Sequence, residues 1–295
     1  MYQSFFELNE KPFGVTPDPR FLFMAASHRE ALDRLQQQRG PVVLTGPPGT
    51  GKTALLLALC ERLDADTAAS FVFNTTLSFD GIVEFILEDL GIAKLEESPA
   101  RRLAALRSFL SERERAGQRT TLIVDEAQHL DAAALAQLGL LANLDSATAS
   151  TRLQLVLAGS PELDTRLQDP DLRHLRESIA ASCRIRPLDA EEVARYIHHR
   201  LEVAGAPDVD LFDTGAVGRL ARFSGGVPRV INILADHCLL LAYADQRRRV
   251  DRRTADRAIA DLTEGWPAPF KLVAAWTTLA SSLTGVARRL LARPD

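Results

Sequence analysis

Eight consecutive residues, Gly46-Pro47-Pro48-Gly49-Thr50-Gly51-Lys52-Thr53, carry the strongest chemical signal in the chain. The glycines let a loop curl until its backbone N–H groups face inward, and a helix N-terminus behind them completes a cradle for phosphate oxygens. Lys52 is then placed to neutralise β- and γ-phosphates and the Thr53 hydroxyl to ligate Mg²⁺, the pattern of a P-loop. A second constellation, Thr120-Thr121-Leu122-Ile123-Val124-Asp125-Glu126, is an apolar run ending in two acids. Asp125 suits a metal held through water, and Glu126 suits the polarisation of an attacking water. Adjacent acids after a strand also cap helices; the P-loop upstream is what favours the catalytic reading.

These residues need a scaffold, and the surrounding pattern supplies one. Pro41–Thr45 reads as a short buried strand leading into the glycine loop, with an apolar helix over 53–63 behind it. Strand-like runs recur at 70–74, 120–124 and 153–158, separated by helical periodicity over 79–90, 100–116 and 132–144. Short apolar strands alternating with helices predict a parallel sheet covered on both faces. Upstream, residues 1–23 carry six aromatics and three prolines without a period, an arm that packs by its rings. A helix over 27–38 follows, with Ser27 as its expected N-cap, Glu30 at the capping-box position, and Ala31, Leu32 and Leu35 on its apolar face. From Leu188 the strands stop. Asp189 with Glu192 makes a capping box for a helix reaching about Ala204, with Gly205 as its stop. Further helices are expected over 212–223, 228–244 and 250–262, with Pro228 at a first helical position. The expected domains are an arm and helix at 1–40, a nucleotide-binding core at 41–187, a helical lid at 188–264, and a hinge with an amphipathic tail helix at 265–295.

Composition narrows the class. The chain has 295 residues, 46% hydrophobic and 25% charged, an ordinary globular balance. Its 35 basic and 39 acidic side chains leave −4, which excludes a generally basic nucleic-acid coat protein but allows a local basic patch. Cys60, Cys183 and Cys238 lie far apart in apolar runs and read as buried thiols, not a disulfide framework or a zinc site. The histidines form no ligand pattern. The opening segment has neither the basic nor the apolar region of a signal peptide, and no apolar run reaches the ~18 residues of a membrane span. The expected location is the cytoplasm.

Several separated segments share a resemblance: the opening MYQSFFELNEKPFGVTPDPRFLF, then FVFNTTLSFDGIVEFILEDLGI, DEAQHL, LVLAGSPEL and FSGGVPRVINILADHCLLLAYA. Together, over about 1–263, they resemble the ExeA/GspA-type AAA+ ATPases, a family that shades into ATPase regulators of transposons. The adjacent Asp125-Glu126 pair fits that branch, whereas the guanine-reading Asn-Lys-x-Asp of GTPases is missing. The resemblance implies an αβα P-loop sandwich with a parallel sheet, a small all-helical lid, an arm beside the nucleotide base, ATP and Mg²⁺ as cofactors, and ATP-dependent homo-oligomers. It matches Arg229 to the lid arginine that senses the γ-phosphate, and Gln128 to a glutamine following the acids. A cation at a helix N-terminus is unfavourable without a nearby anion, which supports the reading of Arg229.

Two departures from the family pattern bear on catalysis. Ser160, in Gly159-Ser160-Pro161-Glu162-Leu163, replaces the polar amide of the sensor 1 position. Ser178 and Ser182 stand where the family has two arginines, the candidates for a finger reaching a neighbouring subunit. Arg173 and Arg176 are nearby alternatives on other helix faces. Lacking that charge, hydrolysis is expected to be slow.

Outside the nucleotide motifs, Arg247, Arg248, Arg249, Arg252, Arg253 and Arg257 are interleaved with Asp245, Asp251 and Asp256. They read as a solvated lid face ahead of a contact to DNA or lipid phosphates. In the tail, Val273, Trp276, Leu279, Leu283, Val286 and Leu290 line one face, which suits a peripheral contact with the inner membrane, a partner, or the chain itself. The expected role is assembly of a cell-envelope machine: type II secretion, pilus or polysaccharide export. The alternatives are a DNA-associated regulator of transposition and an ATP-dependent scaffold with little turnover.

Overall fold

A computed structural model describes residues 2–38, 40–73, 77–92, 98–142 and 153–264. The elements in chain order are α1 (Tyr2–Phe5), α2 (Ala26–Gln37), β1 (Gly40–Thr45), α3 (Lys52–Glu61), β2 (Thr67–Val72), α4 (Phe79–Asp89), α5 (Pro99–Arg115), β3 (Arg119–Val124), α6 (Ala132–Ala142), β4 (Leu153–Gly159), α7 (Glu162–Arg166), α8 (Arg173–Ser178), β5 (Ala181–Arg184), α9 (Ala190–Val203), α10 (Thr214–Ser224), α11 (Pro228–Ala244) and α12 (Arg252–Glu264). They fall into two compact units. One holds 27–46 and 55–185, the other 2–26, 47–54 and 186–264.

In the first unit the five strands form one parallel sheet, ordered β2-β3-β4-β1-β5. All six residues of β1 are buried, as expected of a strand with helices on both faces. Val43, Leu122, Val124 and Leu157 share a core with Ile82 and Ile86 of α4, Leu106 of α5 and Leu135 and Leu138 of α6. Thr45 pairs with Gly159 and Val124 with Leu157, so β1, β3 and β4 end on one edge of the sheet. Open α/β sheets take ligands outside the carboxyl ends of their strands, and both sequence motifs leave the sheet there. A separate cavity of about 190 Å³ opens at the opposite edge, lined by Gln38, Arg62, Thr121 and Gln154 among others.

The second unit is helical and holds the arm. Asp189 and Glu192 form the expected capping box, and Asp213 caps α10 by accepting from the Ala216 N–H at 2.6 Å. Tyr2, Phe6, Phe13 and Phe21 of the arm are buried with Ile197, Leu201, Ile231 and Leu234. Arg200 fastens this packing. Its guanidinium donates to Pro12 O and, at 3.0 Å, to Gly14 O, and lies 4.4 Å from the centroid of the Phe21 ring. Asn232 donates to the same Gly14 carbonyl at 3.1 Å and accepts from the Tyr196 hydroxyl at 2.7 Å.

Some boundaries differ from the sequence expectation. α2 begins at Ala26, so Ser27 sits inside its first turn; the preceding Ala25 is buried with the arm, which fixes where the chain turns. β2 starts at Thr67, because six residues pair in register with β3. α10 and α12 each start two residues later than expected, since Phe212 and Val250 are held in a β-bridge to one another. The segment read as one N-terminal piece divides, with 2–26 in the helical unit and 27–38 in the sheet unit. The hinge and the tail helix at 265–295 lie outside the described residues.

Candidate functional site

The glycine loop leaves β1 at Gly46, whose N–H donates to Gly159 O at 3.2 Å. Pro47 and Pro48 stiffen the entry, and the loop closes on itself. The Thr50 N–H and hydroxyl both reach Pro47 O, at 3.3 and 2.7 Å, and Lys52 Nζ reaches it at 3.3 Å. Lys52 and Thr53 open α3, so the ammonium and the hydroxyl stand at a helix N-terminus, the positive end of its dipole. Lys52 is buried, only 5% exposed. Gly51 completes the turn.

Within the unit that also holds residues 47–54, the Arg229 N–H donates to Gly49 O at 3.1 Å. Pro228 opens α11 without needing a partner for its nitrogen, and Arg229 follows as the first residue able to donate. Gly49 has φ +81°, and a Cβ there would lie 2.8 Å from Arg229 Cβ.

Asp125 and Glu126 follow β3. Asp125 is buried at 3%, and its Oδ1 accepts from the Glu126 N–H at 2.9 Å. Glu126 has φ +55°, a left-handed backbone that a non-glycine residue holds only at a cost of about 1–3 kcal/mol. That twist turns its side chain toward Gln128, in a short 3₁₀ turn at Ala127–His129. Gln128 Nε2 donates to Glu126 Oε2 at 2.6 Å, while Gln128 Oε1 accepts from the Ser160 N–H at 3.0 Å. The Ser160 hydroxyl is hydrogen-bonded to the Glu162 carboxylate. Sequence reasoning singled out Gln128, Glu126 and Ser160 separately; the bonds joining them had no signal in their spacing. It missed Asp164, which accepts from Thr45 Oγ1 at 3.1 Å and from Arg184 at 2.7 Å.

The finger candidates differ in setting. Arg173 is 69% exposed and pairs with Glu177 at 2.7 Å. Arg176 turns back on the chain after α7, donating to Gln168 O at 3.3 Å and Leu167 O at 3.5 Å. Ser178 Oγ donates to Leu175 O at 2.7 Å, and Ser182 is exposed on β5. In the arginine cluster, Arg247, Arg248, Arg249, Arg252 and Arg257 are each paired with a carboxylate, those of Asp251, Glu7, Asp208, Asp256 and Asp245. Among the described residues no group of acids, histidines and cysteines is arranged as a protein-only metal centre, and no helix is long and apolar enough to cross a membrane.

A parallel sheet ordered 2-3-4-1-5, a glycine loop after β1, an acid pair after β3 and a following helical unit define a P-loop AAA+ protein. Residues 34–167 match the family described as AAA domain. General secretion pathway protein A of Aeromonas hydrophila is 38% identical over 249 residues, 83% of this chain and 45% of that protein. The chain spans about half the length of the curated relatives it matches. Among solved structures, the ORC2 protein of Aeropyrum pernix superposes with a TM-score of 0.63 at 15% identity, covering 84% of this chain and 68% of that one. The RuvB Holliday junction branch migration motor of Thermotoga maritima gives 0.54 at 15%, covering 80% and 66%. Both are likenesses of fold. Over most of its length the chain is similar to the ExeA/GspA-type AAA+ ATPases.

Proposed function

We propose that this chain binds Mg·ATP and hydrolyses it slowly, and that its nucleotide state governs self-assembly into a ring or filament that serves a cell-envelope machine. In this reading the loop 46–53 takes the phosphates, Thr53 and Asp125 hold Mg²⁺, Glu126 polarises water, and Arg229 senses the γ-phosphate from a lid at 188–264. The observation that carries it is the Arg229–Gly49 hydrogen bond, which starts α11 on the phosphate loop itself. The envelope setting, with type II secretion first, follows from the likeness to a general secretion pathway protein. A role on DNA in transposition is the second reading; it draws less support because the carboxylates interleaved with five arginines of the basic cluster offset its local positive charge. The proposed location is cytoplasmic, with the tail at the inner membrane surface.

The test separates binding from turnover. Lys52→Ala should abolish ATP affinity in a calorimetric titration, and Glu126→Gln should keep affinity while stopping phosphate release. ATP binding by Lys52→Ala equal to that of the parent would overturn the assignment.

A further inference from the structure

We infer that Gln128 is a positioning residue that ties the Glu126 carboxylate to the end of β4, so that its amide does the work expected of a polar side chain at position 160. This rests on Glu126 acting on water, as proposed above.

The geometry leaves the amide one orientation. Its Nε2 faces a carboxylate oxygen 2.6 Å away and its Oε1 faces a backbone N–H 3.0 Å away. Flipping the amide would set a carbonyl against a carboxylate and an NH₂ against an N–H, losing both bonds. The backbone of Gln128 is fixed as well, since its carbonyl accepts from Arg166 Nη1 at 2.7 Å. Room for the side chain comes from Gly159, where a Cβ would lie 2.5 Å from Gln128 Oε1. Ser160 cannot replace it. Its side chain is short, and its hydroxyl is engaged by Glu162 at the start of α7.

Position 160 therefore contributes its backbone N–H, and Gln128 converts that fixed point into an orientation of the Glu126 carboxylate. A shift of residues 159–160 at the end of β4 would move the amide and the carboxylate together. Glutamate at 128 would nearly preserve shape but oppose Glu126 with a second charge.

The experiment compares steady-state phosphate release by the full chain, at matched assembly state, for the parent, Gln128→Glu, Gln128→Ala and Gln128→Ala with Ser160→Gln. Loss of orientation should lower kcat about ten-fold or more in both single variants and leave the KM for ATP within about two-fold. Adding Ser160→Gln, which returns an amide to the strand end, should recover at least about three-fold of the loss. If Gln128→Ala proves unfolded by circular dichroism, the near-isosteric Gln128→Glu decides alone. Single variants that keep parental kcat, or that lose ATP affinity in step with kcat, overturn the inference. A parent no faster than Glu126→Gln would overturn the ATPase reading itself, a result distinct from an active parent indifferent to position 128.

Discussion

The N–H of Arg229 donates to the carbonyl oxygen of Gly49 at 3.1 Å, so a backbone hydrogen bond joins the first turn of α11 to the centre of the phosphate loop. A side chain at position 49 would be strained by its φ of +81° and would press on Arg229 Cβ at 2.8 Å and Val227 Cγ1 at 3.2 Å. Left-handed backbone alone costs an L-residue about 1–2 kcal/mol. Gly49→Ala should therefore weaken ATP binding about ten-fold or more by calorimetry, each ten-fold being ~1.4 kcal/mol. Parental affinity in that variant would mean the loop and α11 need not stay joined for binding.

Assembly should follow the nucleotide. With Mg²⁺ and ATP the chain should move to a larger mass in light scattering, and Arg229→Ala should reduce that shift, because the guanidinium proposed to sense the γ-phosphate is gone while the backbone bond to Gly49 remains. One unchanged mass with and without ATP would remove self-assembly from the proposed function.

Arg200 carries the arm's attachment to the helices. It is 7% exposed and serves two arm carbonyls, Pro12 O and Gly14 O. Hydrogen bonds from charged groups contribute about 1.5–3 kcal/mol each, and part is regained by water in a truncated variant. Arg200→Ala should lower unfolding free energy by roughly 2–4 kcal/mol in a urea titration. Arg200→Lys should recover less than half, since an ammonium cannot reproduce the planar fork that serves two carbonyls. Equal stability of all three chains would show that the rings alone hold the arm.

The three cysteines should be chemically silent in the native chain. Each is buried, and burial pushes the thiols of Cys60 and Cys238 up to about 12 and that of Cys183 above its ordinary value. Thiolate is the reactive form, so at pH 8 the native protein should consume almost no thiol reagent over minutes, whereas the denatured chain should titrate all three. Rapid reaction of even one native thiol would contradict the packing around it.

What the sequence disclosed and what it hid follow from the range of the interactions. The P-loop, the Asp125-Glu126 pair and the Asp189–Glu192 capping box were legible because each is a local pattern whose geometry is set within a few residues. The alternation of strands and helices was legible for the same reason, but strand order was not, since β1 lies between β4 and β5 through contacts over a hundred residues away in sequence. Gln128 and Ser160 are 32 positions apart and meet only because β3 and β4 are neighbours. Arg200 carries no local signal in the sequence; its burial depends on a loop of the arm 186 residues upstream.

A guanidinium supplied to the transferring phosphoryl group can be worth orders of magnitude in rate. At the two positions where the family pattern has arginine, this chain has Ser178, whose hydroxyl closes α8 on Leu175 O, and the exposed Ser182. Arg176 is engaged with Leu167 O and Gln168 O. Arg173 makes an exposed pair with Glu177, an arrangement that contributes little and is readily released. ATP should thus bind well and turn over slowly, giving long-lived assemblies. Ser178→Arg should raise steady-state phosphate release about ten-fold at matched assembly state, equivalent to ~1.4 kcal/mol of barrier. Arg173→Ala should leave the parental rate nearly unchanged. A fast parent that is silenced by Arg173→Ala would instead place the finger on the exposed start of α8.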